Sequence, residues 1–323
     1  MSLTMSCAVA TSLESHEHAR IAERLGYERI WFFDSPALYP DVWVQLCRAG
    51  ERTDRIGLGP GVMIPALRHP MVSAAAIATL ASLVGQERLA VGVGSGFTGR
   101  LAMGKRPMPW AQVAEYIRVV RALLRGERTE WDGAAIEMLH SPGFAPSRPI
   151  EVPFVVGAQG PKGIAVAREL GDGVFGAPIP VPGFDWSAVL TFGTVLDEDE
   201  DPGSERSLAA AGHAAGVLLH FAAEFGRLDL IPGGREWVAG YDAVPREHRH
   251  LAMHEGHLVA INEHDRPFVT GELLGGLGMA LDRAGWREKL AQLEQGGATE
   301  VVYQPAGPDI PRELETFAAV AQG

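Results

Sequence analysis

Apolar residues recur along the chain at two alternating spacings. Short, nearly continuous apolar runs predict β-strands, and apolar positions three and four residues apart predict the helices between them. Val72, Leu80 and Leu83, for example, share one helical stripe. The predicted strands cover residues 5–10, 29–34, 57–65, 88–96, 152–160, 172–178, 188–196 and 299–305.

This alternation predicts an α/β fold, a closed (β/α)8 TIM barrel of parallel strands. An open doubly wound sheet is the alternative. Residues 97–112 and 231–270 are expected to be insertions after strands four and seven, and Asp132-Gly133 predicts the turn of an inserted β-hairpin. Because no stretch has the composition of a linker, residues 1–323 are expected to form one domain.

Composition and charge narrow the class of protein. The 323 residues are 46% hydrophobic, enough apolar material for a large core. A net charge of −12 argues against general affinity for nucleic acid or anionic membranes, so a small-molecule substrate is expected. Two cysteines and no signal-peptide pattern predict reduced thiols in a cytoplasmic protein. Residues 70–86 are amphipathic, which indicates a packed helix and not a membrane span.

The third predicted strand, residues 57–65 with the sequence GLGPGVMIP, is an unusual strand. Gly57, Gly59 and Gly61 weaken a strand interior, and Pro60 removes a ladder hydrogen bond. A strand broken in this way is expected only where function requires it.

The carboxyl ends of the strands form the active-site face of such a barrel. Asp34 ends strand two, where it is either a cap or ion-pair partner or a functional acid. Strand five ends in a glycine-bracketed turn in which Pro161 opens a helix and Lys162 lies in its first turn. Such a helix N-terminus either binds an anion or is a tight turn with a solvated lysine.

Two motifs suggest other chemistry. GSGFTG, residues 94–99, matches G-x-G-x-x-G, but no helix is expected to start after it and Glu115 lies on a helix. We therefore favour a glycine-rich strand end that a flat ligand approaches over a dinucleotide site. Ser95 lacks the preceding glycine of a nucleophile elbow.

Histidines crowd the second insertion at positions 248, 250, 254 and 257. The HEGH segment is one residue short of H-E-x-x-H, and the sequence does not place a third zinc ligand beside His254 and His257. Solvated or substrate-facing histidines are expected, with no metal. A metal-dependent hydrolase barrel is the alternative from another class.

Several segments taken together resemble a known family. ERLGYERIWFFDS, RIGLGPGVMIPALRHP, RLAVGVGSG, GAQGPKGIAVARELGDGVF and ATEVVYQPAG resemble the bacterial luciferase-like superfamily, in the branch of coenzyme F420-dependent methylenetetrahydromethanopterin reductase. The resemblance implies a barrel that holds a flavin, or the deazaflavin coenzyme F420, at its mouth. It implies a cis Gly61–Val62 peptide and Met63 in a bulge behind the ring, with Asp34 contacting the ring. It further implies a ring pocket at Gly94, Ser95 and Gly96 and a phosphate loop at Gly157, Ala158, Gln159, Gly160, Pro161 and Lys162.

The chain departs from the sugar-phosphate dehydrogenase branch, which has a histidine and a glutamate where this chain has Ser35 and Phe97. The proton donor is therefore open, with Asp34 first and then His254 or His257 as candidates.

The resemblance predicts hydride transfer between F420 and a small organic substrate, and the alternative is an FMN-dependent luciferase-like monooxygenase. The acidic tail of F420 needs cations near the pocket, which Arg68, Arg100, Lys105 and Arg106 could supply unless they are ordinary surface charges. A homodimer is expected. A non-catalytic homologue is disfavoured because the pocket glycines and Asp34 are present.

Overall fold

Eight of the strands form a parallel barrel. The computed structural model describes residues 3–231 and 233–323. Its strands are β1 (Thr4–Val9), β2 (Arg29–Phe32), β3 (Gly57–Pro60), β4 (Val91–Gly94), β5 (Thr129–Trp131), β6 (Ala134–Ile136), β7 (Phe154–Gly157), β8 (Gly173–Gly176), β9 (Ser187–Phe192), β10 (Thr194–Val195), β11 (Ala280–Leu281) and β12 (Glu300–Gln304). The barrel order is β3-β2-β1-β12-β9-β8-β7-β4, and bridges from Leu58 to Leu89 and from Met63 to Val93 join its two edges. The predicted TIM barrel is confirmed.

Helices cover the outside of the barrel and build the two insertions. They are α1 (Ser15–Arg24), α2 (Val42–Gly50), α3 (Pro70–Val84), α4 (Phe97–Leu101), α5 (Trp110–Arg125), α6 (Pro161–Leu170), α7 (Glu205–Glu224), α8 (Gly234–Ala239), α9 (Arg249–His254), α10 (Gly271–Gly276), α11 (Arg283–Gln295) and α12 (Ile310–Ala321). Side-chain caps mark several starts: Asp41 accepts from two N–H groups of α2, and Ser204 accepts from Ser207 N in α7.

Alternation along the strands divides the core in two. Residues such as Ile30 and Phe32 pack outward against the helices, while Trp31 and its neighbours fill the barrel. The interior set is Ala8, Trp31, Phe33, Ala90, Val155, Phe175, Ala188, Leu190 and Val302. This interior ends below the carboxyl ends of the strands, where the candidate site lies.

The predicted hairpin is confirmed, but the predicted seventh strand is wrong in one respect. β5 and β6 pair across Asp132-Gly133, both with positive φ, as a tight hairpin turn requires. Residues 188–196 divide at Gly193, whose φ of 135° breaks the strand, and β10 then pairs with β11. A Cβ at Gly193 would lie 2.3 Å from Met279 O, so only glycine allows this close approach.

Two further expectations need correction. α4 does begin directly after GSG, because Gly96 adopts the left-handed conformation and serves as its N-cap. The histidine-rich segment is not wholly irregular, since it contains α8 and α9. Cys7 and Cys47 are both free. Within the described ranges, no helix has the length and apolar character needed to cross a bilayer.

Candidate active site

The wall of the barrel mouth formed by β3, β4 and β7 is nearly free of side chains. Val62 fills the space that side chains on the neighbouring strands would take. A Cβ at Gly94 would lie 2.8 Å from Val62 Cγ2, and a Cβ at Gly157 would lie 3.0 Å from Val62 Cγ1. The glycines therefore let the half-buried Val62 side chain pack against bare backbone, and we call Val62 with this backbone the Val62 shelf.

The shelf is held on both sides by backbone hydrogen bonds. The Gly61–Val62 peptide is cis. Gly61 N donates to Phe32 O at 2.8 Å on one side, and Met63 N donates to Gly92 O at 2.7 Å on the other. A Cβ at Gly61 would lie 2.7 Å from Trp31 Cβ. The glycine run of the third strand thus allows the chain to cross closely over the barrel interior.

Asp34 anchors the segment that follows the shelf. Its Oδ2 accepts from Ile64 N at 3.1 Å and from Arg68 Nη1 at 2.6 Å, and Arg68 Nη2 reaches Asp41 Oδ2 at 3.1 Å. Only 1% of the Asp34 side chain is exposed. Burial raises the pKa of Asp34 above its ordinary value, although the hydrogen bond and charge of Arg68 oppose that rise. Asp34 is therefore an ion-pair partner at the strand end and not a helix cap.

The turn after β4 closes one side of the shelf. Ser95 is half-buried, and its carbonyl accepts from Met108 N at 2.8 Å, which folds the insertion back over the strand end. A Cβ at Gly96 would lie 2.5 Å from Ile64 Cγ2. The glycines of this turn thus serve close backbone packing.

The predicted phosphate loop forms an open helix N-terminus. Gly160, Pro161 and Lys162 are exposed, and no side chain caps α6. The first N–H groups of a helix lack intrahelical partners, and they carry the positive end of its dipole. Gln159 bridges to Ala177 O, and Ala158 N donates to Phe175 O at 3.2 Å, so the preceding turn is fixed. This end of α6 is suited to an anion.

The predicted histidines separate into two kinds. His248 is exposed, whereas His254 and His257 are buried. Of the two expected environments, solvated or substrate-facing, the first is therefore wrong for His254 and His257. Burial, followed by the charges of neighbouring histidines, lowers the pKa of His254 to about 4 and that of His257 well below its ordinary value. Both imidazoles are therefore neutral near pH 7. His220 on α7 was missed, because a histidine among the apolar residues of a helix gives no sequence signal of partners in another segment.

The segment after α9 lies over the mouth of the barrel. Tyr39, which follows β2, donates from its hydroxyl to His257 O at 2.5 Å. Gln304, at the end of β12, donates to Leu258 O at 3.0 Å. The insertion after the seventh barrel strand therefore reaches the carboxyl ends of β2 and β12, the second and eighth barrel strands.

A basic cavity of about 410 Å³ opens between α4, α7 and α9. Its cationic lining residues are Lys105, Arg106, Arg246 and Arg249, with His250 beside them. The other two predicted cations are engaged elsewhere: Arg68 pairs with Asp34, and Arg100 Nε donates to Arg106 O at 2.5 Å. We call this the basic cavity.

Similarity to known proteins identifies the family. Residues 10–187 match the family model described as luciferase-like monooxygenase. The chain belongs to the luciferase-like monooxygenase family. The resemblance inferred from the sequence is thereby confirmed.

Relatives of known activity share part or most of the chain. A 5,10-methylenetetrahydromethanopterin reductase from Archaeoglobus fulgidus is 30% identical over 166 residues, or 50% of this chain and 48% of the relative. The match thus spans about half the length of that relative. The reductase of the same name from Methanopyrus kandleri is 26% identical over 339 residues, covering 92% of this chain and 90% of the relative. The solved structure of the coenzyme F420 dependent tetrahydromethanopterin reductase from Methanopyrus kandleri has the same fold, with a TM-score of 0.68 at 19% identity and 98% coverage of both chains.

Proposed function

We propose that this chain is an oxidoreductase that transfers hydride between coenzyme F420 and a small organic substrate at the carboxyl end of the barrel. The observation that carries the proposal is the Val62 shelf, in which a half-buried apolar side chain covers bare glycine backbone at the carboxyl ends of three strands. The reductases similar to this chain, one of them titled as coenzyme F420 dependent, support the choice of cofactor.

The residues present fit the ring of such a cofactor. Gly61, Val62 and Met63 would support the ring from behind, and Gly94, Ser95 and Gly96 would border it. When bound, F420 supplies hydride transfer chemistry of its own. The chain has to hold the ring flat, exclude water and supply a proton.

Asp34 is the proposed proton donor. Burial raises the pKa of its carboxyl, and it lies at the strand end adjoining the shelf. Because Asp34 is paired with Arg68 as a carboxylate, it has to take up a proton before it can donate one. His254 and His257 are the weaker candidates, because both are buried in the second insertion and the N–H of a neutral imidazole is a very weak acid. Asp34 also positions the shelf, since it holds the backbone N–H of Ile64.

The rest of the cofactor is proposed to run from the shelf to two sites of positive potential. A phosphate would be held at residues 157–162 by the uncapped start of α6 and by Lys162. The acidic tail would be attracted by the basic cavity, which has Lys105 and Arg106 among its lining residues. FMN has no such tail, so this cavity favours F420 over the FMN-dependent monooxygenase that the family also includes.

Substitution at Lys162 tests the phosphate part of the proposal. Lys162→Ala removes an exposed cation beside the α6 N-terminus and is expected to weaken F420 binding about 5- to 30-fold, the loss of one charge-assisted hydrogen bond. Arg55→Ala is the matched control, because Arg55 is exposed just before β3, at the opposite face of the barrel. Dissociation constants from fluorescence titration are the measurement. Equal affinity in Lys162→Ala and wild type would remove Lys162 from the site.

A further inference from the structure

Three histidines from separate segments meet in the interior of the second insertion. His220 lies on α7, His254 ends α9, and His257 lies three residues later. One ring nitrogen of each lies within 4.8 Å of the others, and all three side chains are buried. The ring centroids are 5.3 to 5.9 Å apart. This arrangement is the histidine triad.

Each imidazole of the triad has one buried ring nitrogen without a hydrogen-bond partner. Nδ1 of His220, Nδ1 of His254 and Nδ1 of His257 have no hydrogen-bond partner. A buried polar atom without a partner costs free energy, so three in one place require a reason. A bound cation that accepts their lone pairs would supply it.

A carboxylate holds one member of the triad in a ligand-like orientation. His220 Nε2 lies 3.0 Å from Asp265 Oδ2, which leaves Nδ1 as the free lone pair. Asp265 is itself fixed, because Oδ1 accepts from Trp237 Nε1 at 2.8 Å and its N–H donates to Asn262 Oδ1 at 2.7 Å. A carboxylate behind a histidine is the usual outer support of a metal ligand, since it fixes the tautomer and raises the basicity of the ring.

We propose that His220, His254 and His257 bind a divalent transition-metal ion, with zinc the ion that the ligand set fits. Three neutral imidazoles are a common zinc ligand set that leaves a fourth position open. Tetrahedral zinc with bonds of about 2.1 Å places its nitrogen ligands about 3.4 Å apart, so the triad has only to contract by rotamer adjustment.

The basic cavity provides the route to this site. His220 and His254 line that cavity together with His250, so an ion and an anionic or water fourth ligand can reach the triad from solvent. Positive side chains around the entrance favour an anion in the fourth position, which offsets the charge of the ion.

Metal binding would join the parts of the insertion that cover the barrel mouth. The ion would connect α7 to the end of α9 and to the segment that Tyr39 and Gln304 hold. The proposed metal site therefore stabilises the insertion that lies over the barrel mouth and takes no part in hydride transfer. Bound metal would also keep His254 and His257 from acting as general acids, because an occupied lone pair cannot be protonated to the imidazolium form that donates a proton.

Titration of the whole, chelator-treated protein with zinc chloride tests the proposal, with a chromophoric chelator as competitor. One zinc per chain with sub-micromolar affinity is expected, together with a higher Tm. Cobalt(II) in its place should give the visible absorption of a tetrahedral nitrogen site. Absence of stoichiometric zinc binding to wild type overturns the proposal without any variant.

Variants locate the ion. His257→Ala and His254→Gln should lose stoichiometric binding, and Asp265→Asn should weaken it about 10- to 100-fold. His250→Ala is the matched control, because His250 lies on α9 with His254 and lines the basic cavity but is outside the triad. Zinc binding that persists in folded His257→Ala, or that is lost in His250→Ala, places the ion elsewhere and contradicts the proposal.

Discussion

Removal of Arg68 should leave an uncompensated charge beside the shelf. The guanidinium is 11% exposed and the Asp34 side chain 1% exposed, so water cannot replace the lost contact. Breaking such a buried pair typically costs about 3–5 kcal/mol of folding free energy. Protonation of Asp34 limits this penalty, because protonating an ordinary carboxyl at pH 7 costs about 4 kcal/mol. We therefore expect Arg68→Met to lose about 3–4 kcal/mol of stability at pH 7.

Because protonation of Asp34 limits the penalty, the stability lost in Arg68→Met depends on pH. It should fall by about 1.4 kcal/mol for each unit below pH 7, because protonation of Asp34 becomes cheaper. Urea unfolding of wild type and Arg68→Met from pH 7 to pH 5 measures this directly. Arg20→Met is the control: Arg20 pairs with Glu17 on the surface, and its loss should cost under about 1 kcal/mol at any pH.

The double variant Asp34→Asn/Arg68→Met separates charge from packing. Without the carboxylate, loss of Arg68 should cost much less than it does alone, which gives a coupling energy above about 1 kcal/mol. A loss below about 1 kcal/mol in Arg68→Met with no pH dependence would refute the electrostatic account of this pair.

Two other substitutions test the frame of the site. Burial alone would raise the pKa of Glu200, but Arg206 and nearby donors lower it to about 2. The stability that this carboxylate contributes to wild type, up to about 3 kcal/mol, should therefore be lost as pH falls from 4.5 to 2. Urea unfolding of Glu200→Gln should lack this contribution to the pH dependence. Gly61→Ala places a Cβ 2.7 Å from Trp31 Cβ and should cost about 1–3 kcal/mol by thermal unfolding, whereas Gly275→Ala, with open space around its Cβ, should be near neutral.

The barrel was predictable because its physical causes are local. Runs such as residues 154–157 are buried on both faces, so their continuous apolar pattern distinguishes them from helices. The glycines of the third strand were also informative. Each stands where a Cβ would collide with a neighbouring strand, and a run of glycines in an apolar strand can be read directly from the sequence. Asp34 was recognisable from its position at a strand end.

The histidine triad was not predictable, because its members come together only through tertiary packing. His220 lies with His213 among the apolar residues of α7, and nothing in the sequence around it indicates the loop that packs against it. Likewise, the break at Gly193 depends on the carbonyl of Met279, which arrives from another segment. The ion pair of Arg68 could not be separated from a surface charge by sequence alone.

The affinities of the purified protein for F420 and for FMN test the central claim most directly. Equilibrium titration of cofactor-free protein with each compound, followed by fluorescence, gives the two dissociation constants. The shelf and the basic cavity together predict saturable binding of F420 at one site per chain and much weaker binding of FMN. Tight, stoichiometric binding of FMN with no detectable binding of F420 would contradict the proposed function.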